Sequence, residues 1–374
     1  MKNIAICGSN VKTSFLRNEV VQTIDLEGIK VNCGLIHTPE PDFDGNAPEN
    51  KFMVLVKIKA FSCNYRDKNL ILQTATKAPD TSFYVVGSEF VGEVIDIGAE
   101  VTEFKIGDNI VGDGSYPHSK VAGIRPGLPT NNGSKEYQIF HYSKLIKIPP
   151  QMPTEVAAAF PLAAQTSYSM IRKLNPAPGE NILVTAAKSN TSLFAINALK
   201  KYDVNVYAVS TSTQFKEQLQ QMGVKQIIQI DPNKESLLQN EEIAQIVRET
   251  GGFNCVIDPF FDIYLGKAIN TIASEGRYVT CGLYDQYSYL TKQEFKYRGY
   301  SMREIMGYAM INNIQIIGNC MGYTADLQKA IGEYVNGCLN ITVDSVFKNN
   351  QVGDFFERTY KAKDRFGKVV YQYS

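Results

Sequence analysis

No two of the seven cysteines in this 374-residue sequence stand close enough to form a CxxC pair. Cys7, Cys33, Cys63, Cys255, Cys281, Cys320 and Cys338 are an odd, scattered set. Such a set reads as reduced thiols in a cytoplasmic protein and argues against a disulfide framework. Histidine is scarcer still: His37, His118 and His141 complete the count, and none has a Cys or His at ligand spacing. A zinc site would have to draw on Asp, Glu or distant partners. Net charge is lacking as well. Lys plus Arg number 38, as do Asp plus Glu, so no overall field recruits nucleic acid or an anionic membrane. No apolar run approaches the roughly 18–20 residues that span a bilayer. The opening MKNIAICGSN is too short in apolar residues for a signal peptide. No internal repeat is apparent.

What is present is ordinary globular usage, with 44% apolar and 20% charged residues, in a chain long enough for two domains. Residues 1–150 read mainly as strands and turns. KFMVLVKIKAF (51–61) largely alternates, FVGEVIDIG (90–98) is a second strand, and residues 115–134 form a long surface loop rich in Gly, Pro, Asn and Ser. The character changes near Pro153. Thr154 caps a short helix, EVAAAF, and Pro161 interrupts it before a second helical stretch to about Leu174. ILVTAA (182–187) is a continuous apolar strand of the buried parallel kind. Helix, strand NVYAVS (205–210), helix QFKEQLQQMG (214–223) and strand QIIQI (226–230) follow, then a helical stretch around 235–249 and strands FNCVID (253–258) and RYVTCG (277–282). Strands alternating with helices imply an α/β fold with a doubly wound parallel sheet.

The landmarks NYRD (64–67), VVGSEFVGEV (85–94), KIGDNIVG (105–112), ILVTAA (182–187), VIDPFF (256–261), GRYVTCGL (276–283) and GKVVY (367–371) occur in a telling order and spacing. From about residue 50 onward the chain resembles a medium-chain dehydrogenase/reductase, nearest the zinc-free quinone oxidoreductase and enoyl reductase branch. The first 50 or so residues match that family's opening poorly, and their role stays open. The resemblance implies a GroES-like β-rich catalytic domain from residues 1–153 and 313–374. A Rossmann NADP(H)-binding domain is implied for 154–312, with the active site at the carboxyl ends of its strands.

The resemblance also bears on zinc. Cys63 lies beside the first segment that supplies a ligand in zinc-dependent relatives, but NYRD is the zinc-free signature, and the His of the second segment is replaced by Ser88. The cysteine lobe of those relatives has no counterpart, since residues 99–134 hold no Cys. The expectation is no metal, with Cys63 a packed thiol. A substrate carbonyl must then be polarised by a hydrogen-bond donor or general acid. Tyr65 is the residue the resemblance puts facing substrate, and a packed aromatic is the competing reading. Asn64 joins it, although Asn64 and Asp67 also suit holding the loop by side-chain to backbone bonds. Thr166, in AAQTSY, matches a family hydroxyl near the nicotinamide, with a structural helix threonine as the alternative. Glu89 is expected to brace the fold.

After ILVTAA the family usually has a glycine-rich turn leading into a helix whose N-terminus holds pyrophosphate. This chain reads AAKSNTS, placing Ser189, Asn190, Thr191 and Ser192 there. Glycine lets backbone approach phosphate, whereas small hydroxyl and amide side chains cap helices and donate hydrogen bonds. A modified cradle is expected, with Lys188 as a possible phosphate contact. NAD-specific relatives carry an acid after the second strand, where this chain has Ser210-Thr211-Ser212-Thr213. Ser210, Ser212 and Lys216 therefore point to NADP(H). Asp258 and Gly282, ending two later strands, complete the cofactor set. Phe260 and Phe261 replace the usual glycine pair and would shape or close the cleft. The aromatic-rich segment 284–311, with Lys292, Lys296, Arg298 and Arg303, is read as exposed helix or as a border to substrate or a partner subunit. The function expected is an NADPH-dependent reduction of an activated C=C in a small molecule by a homodimer or higher oligomer. Its rival is a non-catalytic or repurposed member acting through binding.

Overall fold

The computed structural model describes residues 1–374 apart from Asn18, the side chain of Thr13 and residues 292–294. Lys292, singled out above, lies outside the described residues. The chain forms two compact units. The first comprises Met1–Leu162, Gln286–Gln293 and Ile341–Ser374, and the second Ala163–Asp285 and Glu294–Asn340.

The first unit contains β1 (Lys2–Cys7), β2 (Gln22–Leu26), β3 (Ile29–His37), β4 (Met53–Ser62), β5 (Phe83–Val85), β6 (Glu89–Ile97), β7 (Asn109–Gly112), β8 (Tyr137–His141) and β9 (Leu145–Lys147). The second holds β10 (Asn181–Val184), β11 (Asn205–Ser210), β12 (Gln226–Gln229), β13 (Phe253–Asp258), β14 (Ile272–Thr280) and β15 (Gln315–Gly318). The last strands, β16 (Val343–Phe347) and β17 (Lys368–Gln372), return to the first unit.

Two sheets build that first unit. One runs β16-β17-β4-β6-β7-β9 with β8 paired to β4. Its central strand β4 alternates strictly along its first half, so Val54, Val56 and Ile58 are fully buried while their neighbours are not. The other is a four-stranded antiparallel sheet, β2-β3-β1-β5, made mostly from the first 37 residues, whose role the sequence left open. Leu26 pairs with Ile29 across a two-residue turn in which Glu27 (φ 56°) and Gly28 (φ 78°) are both left-handed. That geometry matches the twist of a tight hairpin, and glycine meets half of its demand without strain.

NYRD does not hold a loop, as its side chains suggested. It opens the helix Tyr65–Lys77, with Asn64 at the N-cap and its backbone N–H donating to Asp67 Oδ2 at 2.6 Å. A carboxylate at the third helical position satisfies one of the end's orphan donors and suits the helix dipole. Ile71 and Leu72 bury the helix in the core with Phe61, Phe90 and Phe355.

In the second unit β12-β11-β10-β13-β14-β15 form a six-stranded, wholly parallel sheet. β10 sits at its middle, with Ile182, Leu183 and Val184 all fully buried, as a strand covered on both faces requires. This is the doubly wound α/β sheet beside a separate β-rich unit that the sequence pattern implied. The sequence reading ended the nucleotide domain at residue 312. The structure continues its unit to Asn340, because β15 is the sixth parallel strand and the helix Thr324–Val335 follows it there. Residues 286–291 go the other way: Tyr287 and Leu290 pack into the core of the first unit. Among the described residues no helix is long and apolar enough to cross a membrane.

Candidate active site

At the start of helix Tyr65–Lys77 the first unit buries a polar network. The Glu89 side chain on β6 is 1% exposed and that of Lys368 on β17 is 3% exposed, and they pair at 2.5 Å. Three further donors reach Glu89: Asn64 Nδ2 (2.9 Å) and Ser62 Oγ (3.0 Å) to Oε1, and Leu162 N–H (3.1 Å) to Oε2. Lys368 also donates to Asn64 Oδ1 at 2.6 Å, and Ser88 Oγ donates to Asp67 Oδ2 at 2.6 Å while accepting from Asn64 Nδ2 at 3.0 Å. Glu89 is thus a brace tying β4, β6, β17 and the helix start together. Burial pushes the Asp67 carboxyl upward, opposed by its bonds from Ser88 and Asn64.

The same network tests whether zinc fits. Asn64 and Ser88 are hydrogen-bonded to each other, the Lys368 ammonium occupies Glu89, and the neighbouring Cys63 is buried with its thiol pushed well up by desolvation. An amide and a hydroxyl bonded to each other are not zinc's usual ligands, and an ammonium beside the carboxylate repels a dication. The donor set does not suit zinc.

Tyr65 projects from the first turn of the helix and is half-buried. Its hydroxyl lies 2.9 Å from that of Tyr287. Lys68, one turn on, donates to Tyr287 Oη at 3.1 Å and pairs with Glu27 from the β2–β3 turn. Tyr287 also reaches Glu27 Oε1 at 3.3 Å. Sequence reasoning found Tyr65 but neither Lys68, Glu27 nor Tyr287. The i, i+3 spacing of Tyr65 and Lys68 was the one local signal.

The other residues singled out lie in the second unit, along the carboxyl edge of the parallel sheet. β10, β11, β13 and β14 end there at Val184, Ser210, Asp258 and Thr280, with Val184 beside Ala208 and Ile257 and Asp258 beside Thr280. Ser189 caps the helix Asn190–Leu199 by accepting from Ser192 N–H at 3.2 Å, and its own hydroxyl donates to Ser192 Oγ. Ser192 Oγ in turn donates to the Thr185 carbonyl at 2.8 Å. Ala186, in the turn, adopts φ 45°, a position where glycine would be unstrained. Ser167 joins this turn by donating to the Thr191 carbonyl at 2.9 Å, and so anchors the helix Pro161–Leu174 that carries the buried Thr166. A helix start with hydroxyl-bearing residues and half-buried Ser189, Asn190 and Thr191 fits an anionic phosphate. Ser210 accepts from Ser212 N–H at 3.2 Å, so the second strand ends in a hydroxyl-stabilised turn with Lys216 exposed beyond it.

Two residues read as cofactor contacts have structural work of their own. Asp258 is fully buried; Thr185 Oγ1 (2.6 Å) and Phe260 N–H (2.9 Å) bond one oxygen and Tyr278 the other. Desolvation pushes its carboxyl up to about 6 against those three bonds. Gly282 is a glycine because a Cβ would stand 2.4 Å from the Pro259 carbonyl oxygen. Phe260 packs edge-on to Tyr284 at 5.7 Å, while Phe261 starts a helix and is 37% exposed. Asp262, from the same turn, accepts from the N–H groups of Tyr284 and Asp285, both at 2.8 Å.

Residues 50–150 match the alcohol dehydrogenase GroES-like domain. Over 333 residues the chain is 25% identical to an acryloyl-coenzyme A reductase of Metallosphaera sedula, covering 85% of this chain and 91% of that protein. It is 26% identical over 300 residues to quinone oxidoreductase-like protein 2 of Bos taurus, covering 77% and 76%. The solved structure of an NAD-dependent alcohol dehydrogenase shares the fold, with a TM-score of 0.73 at 20% identity over 100% of this chain and 99% of that one.

Proposed function

The chain belongs to the medium-chain dehydrogenase/reductase superfamily, and from that premise we propose that it is a zinc-independent reductase using NADPH on an activated C=C of an enone, quinone or enoyl thioester. The observation that carries this reading is the buried Lys368–Glu89 pair with Asn64 and Ser88, which leaves the carbonyl to be polarised by a hydroxyl donor. The two relatives named for reduction of an enoyl thioester and for quinone chemistry support the substrate class. When bound, the nicotinamide supplies hydride. Residues 189–192 hold the pyrophosphate, and Ser210, Ser212 and Lys216 accept the 2′-phosphate, since β11 ends without an acid. Tyr65 donates its proton to the substrate oxygen as negative charge develops there, with Thr166 contributing a hydroxyl near the ring.

Oxidation of NADPH followed at 340 nm across quinones, enals and enoyl thioesters tests the reaction; inertness throughout would refute it. Tyr65→Phe is expected to lower turnover about 10²-fold with NADPH binding intact. Tighter binding of NADH than NADPH in a fluorescence titration would refute the cofactor assignment. A binding role without catalysis is favoured by one observation: the Ser189 and Ser192 hydroxyls are bonded within the turn. Failure to bind either dinucleotide would decide for it.

The reading includes a pair of chains. β15 ends the parallel sheet, and the adjoining helix Met302–Ile311 exposes Met306 (54%), Met310 (75%) and Ile311 (78%). A bare strand edge beside exposed apolar side chains is suited to a second copy of the same face.

A further inference from the structure

We infer that Glu27, Lys68 and Tyr287 form a proton relay that recharges Tyr65 from solvent, an inference that rests on the assignment of Tyr65 as proton donor. The four groups are continuous: Tyr65 and Tyr287 hydroxyls at 2.9 Å, Lys68 Nζ to Tyr287 Oη at 3.1 Å, and Lys68 paired to Glu27. They are also graded in exposure. The Lys68 side chain is 4% exposed and Tyr287 7%, whereas the Glu27 side chain is 33% exposed and opens the inner end to water. A buried ammonium is expensive to hold one turn from the buried Ile71 and Leu72, where an aliphatic residue would pack without desolvation. Three separate segments converge to hold this one: the helix with Tyr65, the β2–β3 turn with Glu27, and residues 286–291 with Tyr287.

Tyr287 gives the chain a direction. Its single proton has two acceptors in reach, Tyr65 Oη and Glu27 Oε1 at 3.3 Å, and its oxygen accepts from Lys68. Without substrate, Tyr65 donates to Tyr287 and the Tyr287 proton turns to Glu27. With substrate bound, the Tyr65 proton turns to the substrate oxygen, and rotation about one C–O bond aims the Tyr287 proton at Tyr65 instead.

The step balances. Hydride from NADPH forms the new C–H bond at the β-carbon, and the C=C pair shifts to leave negative charge on the substrate oxygen. The Tyr65 O–H bond breaks as an O–H bond to that oxygen forms. The phenolate takes the Tyr287 proton, Tyr287 takes one from the Lys68 ammonium, and the amine regains its proton from water past Glu27. One hydride and one solvent proton are consumed per turnover. Glu27 lies outside the GroES-like match at residues 50–150, on the turn that joins β2 to β3.

The test compares Glu27→Gln, Tyr287→Phe and Tyr65→Phe in the full chain with NADPH and an enone that the native protein reduces. Expected for Glu27→Gln and Tyr287→Phe is a fall in kcat of at least about 10-fold, steepest at alkaline pH, with a larger solvent deuterium effect and unchanged NADPH affinity. Glu27→Asp should recover most of the rate, and acetate should partly rescue Glu27→Ala. A readout free of turnover is water exchange of the Lys68 Nζ protons by ¹⁵N NMR, expected to slow several-fold in Glu27→Gln. Native pH profiles and isotope effects in Glu27→Gln and Tyr287→Phe, with Tyr65→Phe impaired, would overturn the relay alone, as would unchanged Lys68 exchange. Native turnover in Tyr65→Phe would instead overturn the donor assignment.

Discussion

Replacing Lys368 by Met should unfold the first unit far more readily than its place on the last strand suggests. Methionine has nearly the same length, so packing changes little, but the Glu89 carboxylate, 1% exposed, loses the ammonium 2.5 Å away. Leaving one partner of a buried pair uncompensated costs about 3–5 kcal/mol. Asn64, Ser62 and the Leu162 N–H still donate to Glu89, which holds the cost near the lower end. Asn64 Oδ1 loses a 2.6 Å donor at the same time, adding roughly 1 kcal/mol. The sum, about 4 kcal/mol, corresponds to a fall on the order of 10 °C in the melting of a unit of this size. Scanning calorimetry is the assay, since a chain of two units need not melt as one, and the transition that moves identifies the unit. Glu89→Gln with Lys368→Met should recover most of the loss, because no charge then remains buried. A single-variant loss below about 1 kcal/mol, or a double variant no better than Lys368→Met, would refute the reasoning.

Asp258, pushed up to about 6 by burial, binds its proton more tightly folded than unfolded. Its contribution is therefore complete below the unfolded value near 4 and is lost as pH rises through about 6, a fall of about 3 kcal/mol. Denaturant midpoints between pH 4 and 7 should show that decline in the second unit, and Asp258→Asn should flatten it. Gly282→Ala places a Cβ 2.4 Å from the Pro259 carbonyl oxygen and should destabilise the cofactor-free protein by about 1–3 kcal/mol; unchanged melting with weakened NADPH binding would instead make close cofactor approach its reason. Met310→Glu, at a 75% exposed position, should lower the mass seen by sedimentation equilibrium if β15 and its helix pair two chains, and leave the monomer's melting unchanged.

The parallel sheet was the most legible part of the sequence. Strands covered on both faces must be continuous apolar runs, and FNCVID coincides with β13 while ILVTAA contains most of β10. Pro161 and Leu174 bound their helix as read. The amino-terminal sheet was not legible, since β1 is a short apolar run whose partners, Ile29–His37 and Phe83–Val85, lie far away in sequence. The helix Tyr65–Lys77 was hidden behind four residues read as a loop, although Asn64 and Asp67 three apart are also a helix-start pattern. Of the candidate site, Tyr65 could be picked out, but Glu27, Lys68 and Tyr287 come from three segments and only folding makes them neighbours. Asp258 and Gly282 illustrate another limit: residue type and place in the fold were readable, but not that a buried tyrosine and a carbonyl oxygen were the partners.

The pairing of Ser62 with Val370 has a consequence for synthesis on the ribosome. β4 is made early, yet its neighbour β17 and the lysine that neutralises Glu89 follow only after all six strands of the parallel sheet. At about 5–20 residues per second, Glu89 waits on the order of 15–60 s for Lys368. The parallel sheet, whose strands span Asn181–Gly318, emerges whole within that interval. The nascent chain is therefore expected to complete its second unit before its first, with β8 already paired to Met53–Lys57 of β4 and residues 60–62 waiting for β17.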